Sequence, residues 1–234
     1  MDSSFLEKYN SGQTILVDKE LDWTSFDVIK KLRNLIKCKK IGHAGTLDPL
    51  ATGLLIICTG KNTKKIIDYQ NLTKTYHGDF TIGSTTPSHD METDINSSSS
   101  FEKIKKTDVI NTSKSFIGKQ MQRPPKFSAV KVKGKRAYEL ARKEKDIILI
   151  EKEIEIKSFS IKNIALPIIS FEIICSKGTY IRSIARDFGE SLGCGAYLSQ
   201  LRRTHIGNFS VDNAYRIDKL VEKIKKEKIE NNQR

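Results

Sequence analysis

Lys40-Ile41-Gly42-His43-Ala44-Gly45-Thr46-Leu47-Asp48-Pro49-Leu50-Ala51-Thr52-Gly53 runs directly into Leu54-Leu55-Ile56-Ile57-Cys58-Thr59-Gly60. A carboxylate sits here in a loop of small residues, with an imidazole five positions before it and an unbroken apolar run after it. A continuous apolar run of this length, bounded by glycine, reads as a strand buried on both faces. The loop has two readings. In one, Asp48 caps a short helix and Pro49 takes its first position, where the missing N–H costs nothing. In the other, the glycines let the backbone approach a ligand and aim the Asp48 carboxylate at it. Both can hold together.

The remaining composition narrows the class. A chain of 234 residues can bury a substantial core as one domain or one with a small appendage. Mean hydropathy is −0.42 and no apolar run approaches the ~20 residues that span a bilayer. The start, Met1-Asp2-Ser3-Ser4-Phe5-Leu6-Glu7-Lys8, has neither a basic nor an apolar signal segment, which predicts a cytoplasmic protein. A net charge of +13 suggests a polyanionic partner, since each phosphate neutralised releases counterions. Cys38, Cys58, Cys175 and Cys194 form no C-x-x-C pair, and with four histidines no zinc-ligand spacing arises. Cys58 and Cys175 read as small, reduced core residues.

Along the chain, residues 12–19 predict a strand. Thr24 or Ser25 can cap a helix with Phe26, Ile29, Leu32, Leu35 and Ile36 at helical spacing. Trp23 reads as a packing residue. Thr63 can cap a further helix through Tyr69, and residues 74–83 alternate like a strand, with Tyr76 open to a core or a functional role. Residues 101–116 predict a helix with Val109 and Ile110 inward, and residues 96–100 a solvated tip. Lys126, Lys131, Lys133, Lys135 and Arg136 form a cationic strip interleaved with Phe127 and Tyr138, either a solvated face or an RNA-contacting one. Residues 147–159 and 168–175 are strand-like. Ile217, Leu220, Val221 and Ile224 mark an amphipathic helix within a charged tail, about 214–234.

Gly42-His43-x-Gly45-Thr46-Leu47-Asp48-Pro49-x-Ala51-x-Gly53-x-Leu55 resembles the signature loop of the bacterial tRNA pseudouridine synthase B (TruB) family. Further blocks resemble the family in the same order: Lys74-x-Tyr76 with Gly83, Gly118 to Arg142, Gly178-Thr179-Tyr180-Ile181-Arg182, and Gly193 to Phe209. One departure stands out. The family usually shows Lys-Pro-x-Gly before Trp-Thr-Ser, whereas this chain keeps Lys19 and Trp23-Thr24-Ser25 but has Glu20 and Asp22 at the proline and glycine positions.

The resemblance implies an α+β pseudouridine synthase fold, a mixed, largely antiparallel sheet flanked by helices and loops, as a single catalytic domain over 1–234. An RNA-gripping insertion lies at about 123–150. Many members continue into a PUA-type barrel; ending at Arg234, the chain reads as a short form without one. The implied reaction is the isomerisation of uridine 55 in the T-loop of tRNA, with Asp48 as the catalytic group and no cofactor or metal. His43, Tyr76, Tyr180, Arg182 and Leu201 would contact the extruded uridine, with Arg182 partnering Asp48. Lys64, Arg123, Lys126, Lys131, Lys133, Arg202 and Arg203 are expected to contact the T-arm. A monomer without a protein partner or membrane association follows. Two other readings share the scaffold: a non-catalytic RNA-binding or tRNA-folding protein, and pseudouridylation of another RNA.

Overall fold

The computed structural model describes residues 3–128, 131–132, 135–136 and 149–232. Lys133 and Tyr138 therefore lie outside the described residues, as does the side chain of Lys131, and the expected insertion is described chiefly at its two ends. The main elements are α1 (Ser3–Ser11), β1 (Thr14–Lys19), α2 (Ser25–Ile36), β2 (Ile41–Ala44), β3 (Ala51–Thr59), α3 (Ile66–Asn71), β4 (Lys74–Ile82) and α4 (Lys106–Ser115). They continue as β5 (Gly118–Gln122), β6 (Lys152–Ala165), β7 (Ile168–Cys175), α5 (Ile181–Leu192), β8 (Ala196–Ile206) and α6 (Ile217–Asn232). The chain forms two compact units, one of residues 1–76 and 202–234, the other of residues 77–201.

In the first unit, β1 pairs antiparallel with β3 and parallel with Tyr215–Arg216, while β2 pairs antiparallel with the far end of β3. The apolar run that opens the sequence is β3. Side chains alternate across a strand, so Leu55 and Ile57 join Val28, Ile29, Leu32 and Ile36 of α2 on one face. Leu54, Ile56 and Cys58 join Ala44, Ile206 and Val211 on the other. Burial on both faces is why the run has no polar interruption.

Helix α2 begins at a capping box. Thr24 Oγ1 accepts from the Asp27 amide at 3.0 Å, and Asp27 Oδ2 accepts from the Thr24 amide at 2.9 Å. It ends at Lys37, which takes φ 58° and donates its amide to the Arg33 carbonyl. Its buried stripe is Ser25, Val28, Ile29, Leu32 and Ile36, whereas Phe26, expected inward, is 60% exposed. Helix α1 carries Phe5 and Tyr9 into the same core, a helix that its short, polar sequence does not announce.

In the second unit the strand order is β8-β4-β7-β6-β5. β6 and β7 form a long antiparallel hairpin with two register shifts, and β5 pairs antiparallel with the start of β6. Its core is aromatic. Phe80 lies 4.2 Å from Phe171 by ring centroid, and Phe159, Phe188 and Phe116 complete the cluster at tilted or edge-on angles. Such pairs add ~0.5–1.5 kcal/mol each beyond area burial. Of the helix expected over 101–116 only α4 forms, beginning after the extended Lys105; Val109 is buried, but Ile110 is 40% exposed.

Candidate active site

No helix follows Asp48. The Ala51 amide donates to the Asp48 carbonyl at 3.0 Å, closing a four-residue turn with Pro49 at its second position, and β3 starts at once. That position suits the fixed φ of proline. The capping reading of Asp48 is thereby replaced by a turn; the apolar residues after it pair in a sheet rather than winding on.

Four sets of hydrogen bonds hold this turn. Ser25, buried at the start of α2, donates through Oγ to the Leu47 carbonyl at 3.2 Å and accepts from the Leu47 amide at 2.9 Å. The Asp22 amide donates to the Pro49 carbonyl at 3.0 Å. Lys19 is fully buried, and its Nζ donates to the carbonyls of Pro49 at 3.3 Å, Glu20 at 2.9 Å and Trp23. Arg203 donates through Nε to the Leu54 carbonyl at 2.8 Å, through Nη2 to Gly45 at 3.0 Å and through Nη1 to Thr46 at 3.5 Å. The residues immediately before and after Asp48 are thus tied to different elements, which fixes the backbone that carries its half-buried carboxylate.

The departure at Asp22 has a structural answer. Asp22 adopts φ 63°, the left-handed conformation a glycine there would take without strain, so the turn persists. Aspartate is among the few residues that tolerate it.

Electrostatics follow from the burial of two cations. Burial pushes the Lys19 ammonium down to about 8, an effect opposed by Asp48 and Asp22 and reinforced by Arg203. Burial, and then the Arg203 charge, also lower the His43 imidazole, so this half-buried ring is neutral at neutral pH. Tyr76 is buried at the end of the unit's portion of β4.

The second unit holds a different cluster. Arg182, at the second position of α5, has a side chain only 5% exposed and lies 3.5 Å from Asp90 Oδ2. Its Nη2 donates to the Phe127 carbonyl at 2.9 Å and its Nη1 to the Ser88 carbonyl at 3.4 Å. Tyr180, the residue before α5, is gripped through its backbone by Gln122, which accepts from its amide at 2.8 Å and donates to its carbonyl at 3.1 Å. Leu201 is buried. A cavity of about 600 Å³ opens beside Pro87, His89, Arg123, Lys126, Phe127 and Arg186. Burial, then the charges of Arg186 and Arg182, push His89 down to about 4.

The expected RNA contacts divide. Lys64 and Lys126 are exposed, as is Arg123, which pairs with Glu151 at 3.0 Å. Arg202 is half-buried and makes a fork to Asp18 at 3.0 and 2.8 Å. Arg203 is a correction: it is 1% exposed and spends its donors on backbone carbonyls, so no phosphate can reach it. Adjacent residues of a strand point to opposite faces, and the Arg202-Arg203 pair splits accordingly. Ser25 carries a further supporting role that its place beside a helix cap concealed. Asp90 and Gln122 were visible only as residues within or beside matching blocks.

Comparison with known proteins places these features. The family description "TruB family pseudouridylate synthase (N terminal domain)" matches residues 33–181, and "tRNA pseudouridylate synthase B C-terminal domain" matches residues 182–233. The chain is 50% identical to tRNA pseudouridine synthase B of Flavobacterium johnsoniae over 215 residues, covering 89% of this chain and 94% of that protein. It is 47% identical to the protein of the same name from Chloroherpeton thalassium over 220 residues, 92% of this chain and 91% of that one. Among solved structures it resembles a chain of a Cbf5-Nop10-Gar1 complex with a TM-score of 0.71 and 26% identity. That match covers 93% of this chain and 56% of the other, so the chain spans just over half the length of that structure. An H/ACA RNP bound to a substrate RNA containing 2'-deoxyuridine gives a TM-score of 0.69 at 22% identity, with 93% and 55% covered, a likeness of fold. With a pseudouridine synthase fold, the signature aspartate on a braced turn and matches along most of its length, the chain belongs to the TruB family of pseudouridylate synthases.

Proposed function

We propose that this protein isomerises uridine 55 in the T-loop of tRNA to pseudouridine, with Asp48 as the catalytic group. The observation that carries the reading is the bracing of Asp48: Leu47 is held by Ser25, Pro49 by Lys19 and the Asp22 amide. A carboxylate on so constrained a backbone is pre-positioned for a reacting atom, the arrangement that makes an attack effectively unimolecular.

The reaction breaks the N1–C1′ bond of uridine and forms a C5–C1′ bond. N1 gains a proton and C5 loses one, so atoms and electrons balance within the nucleotide. Asp48 serves as nucleophile toward sugar or base, or as the base that takes the C5 proton. The family resemblance supplies the other assignments. By that resemblance Arg182 would serve as the counter-ion of Asp48, and Tyr76, Tyr180 and Leu201 would line the pocket for the extruded base. His43, uncharged at neutral pH, stands beside the catalytic loop as a substrate contact. Extruding the base costs a few kcal/mol, offset by the pocket. Lys64, Arg123 and Lys126 are exposed cations suited to the phosphates of the T-arm, and Arg202 keeps part of its surface in solvent. Among the described residues no helix is long and apolar enough to cross a membrane. The family resemblance, not that absence, underlies our assignment of a cytoplasmic monomer.

The test is tritium release from tRNA labelled at uridine C5. Wild-type protein is expected to release the label of a single uridine and Asp48→Asn none. Wild-type release by Asp48→Asn would overturn the catalytic assignment. Undiminished release from tRNA with cytidine at position 55 would overturn the site assignment.

A further inference from the structure

We propose that Arg203 is a positioning residue for Asp48, acting through the backbone of the catalytic loop rather than through RNA. It rests on the reading of Asp48 as the catalytic group.

The geometry is specific. Asp48 lies between Gly45-Thr46 on one side and Leu54 on the other, and the Arg203 guanidinium donates to the carbonyls of all three. One planar group therefore bridges the segment entering the turn and the strand leaving it. Gly45, at φ 85°, turns its carbonyl toward this fork. The Arg203 backbone is equally close. A Cβ built on Gly53 would fall 2.3 Å from the Arg203 carbonyl oxygen, so glycine at 53 lets β8 lie directly against the exit of the loop. Hydrogen bonds from a charged donor are roughly twice as strong as neutral ones, and arginine presents its donors in a rigid fork that lysine cannot reproduce. Lys19 anchors the opposite side of Asp48 at Pro49. Between these two buried cations the turn has little room to drift.

A residue that only stabilised the fold would lower melting temperature and leave the rate of folded enzyme unchanged. A phosphate contact would weaken RNA binding. A positioning residue instead lowers the maximal rate while affinity holds. The experiment measures single-turnover tritium release at saturating enzyme, tRNA affinity across a salt series, and thermal melting, for Arg203→Lys and Arg203→Gln beside Asp48→Asn. A misplacement of about 1 Å costs on the order of 100-fold in rate. We expect Arg203→Lys to lose about 10- to 100-fold in maximal rate and Arg203→Gln at least as much. Tenfold losses are to appear with tRNA affinity within about twofold and an unchanged salt slope.

Wild-type rate in cooperatively melting Arg203→Lys and Arg203→Gln overturns the proposal. So does weakened binding with a salt slope shallower by about one, which marks a phosphate contact. Failure of both variants to fold assigns Arg203 to folding alone and also overturns it. Wild-type rate in Asp48→Asn is the separate result that removes the underlying reading, whatever the Arg203 variants do.

Discussion

Replacing Ser25 by alanine removes one hydroxyl and strands two backbone groups. Its Oγ is the partner of both the amide and the carbonyl of Leu47, at 2.9 and 3.2 Å, and Leu47 is only 3% exposed. Water cannot readily replace the lost partner. Each buried polar group left unsatisfied costs about 1–3 kcal/mol, so Ser25→Ala is expected to cost about 2–6 kcal/mol. For a protein of this size, at about 2–4 °C per kcal/mol, that corresponds to a fall in melting temperature of roughly 4–24 °C. The residue beside it gives the control. Thr24 is exposed and caps the same helix, so Thr24→Ala should cost about 1 kcal/mol without touching the loop. The two variants are compared by thermal melting and by single-turnover tritium release below their transitions. Ser25→Ala should slow the reaction by about tenfold or more because the residue before Asp48 has lost its anchor. Thr24→Ala should react at the wild-type rate. A melting temperature within about 2 °C of wild type for Ser25→Ala, with an unchanged rate, would refute the view that this hydroxyl braces the loop.

Two further outcomes follow from backbone and charge. Asp22 holds φ 63°, a conformation that costs a residue with a Cβ about 1–2 kcal/mol, so Asp22→Gly should be about 1 kcal/mol more stable than Asp22→Ala; equal stabilities by urea unfolding would argue against strain there. His89 has its folded pKa pushed down to about 4 from 6.5 by burial and by Arg186 and Arg182, against Asp90 and the Thr86 backbone. The unfolded chain therefore binds this proton first. The His89 contribution is whole above about pH 6.5 and is lost as pH falls toward 4, by up to about 3 kcal/mol. His89→Asn keeps a residue tolerant of the local φ of 61° and should flatten melting temperature against pH over that window; an unchanged profile would show that another group governs it.

Some features were legible because the local pattern and the global structure agree. The Thr24-x-x-Asp27 box and the apolar spacing after it specify α2 by geometry internal to one helix. The strand β7 runs over Ile168–Cys175, the span its alternation suggests. Other features depend on what lies across the fold. Phe26 and Ile110 sit beside their helices' apolar stripes, and periodicity could not show that the facing cores end short of them. The helix expected after Asp48 yields to a turn because Ala51 onward pairs with strands distant in sequence, a long-range preference that overrides a capping signal.

The sequence by itself carried the family and the reaction class, and it singled out Asp48 as the candidate, because a loop of glycines, aspartate and proline before a doubly buried strand is a local signature that survives without coordinates. Only the tertiary structure decided how that aspartate is held. Ser25, Lys19 and Arg203 come from three separate elements, and each acts on main-chain carbonyls or amides that carry no residue identity of their own. Two adjacent arginines look alike in sequence. Strand alternation turns one partly to solvent and buries the other beneath the Asp48 loop, and that choice of face is made by the sheet, not by the pair.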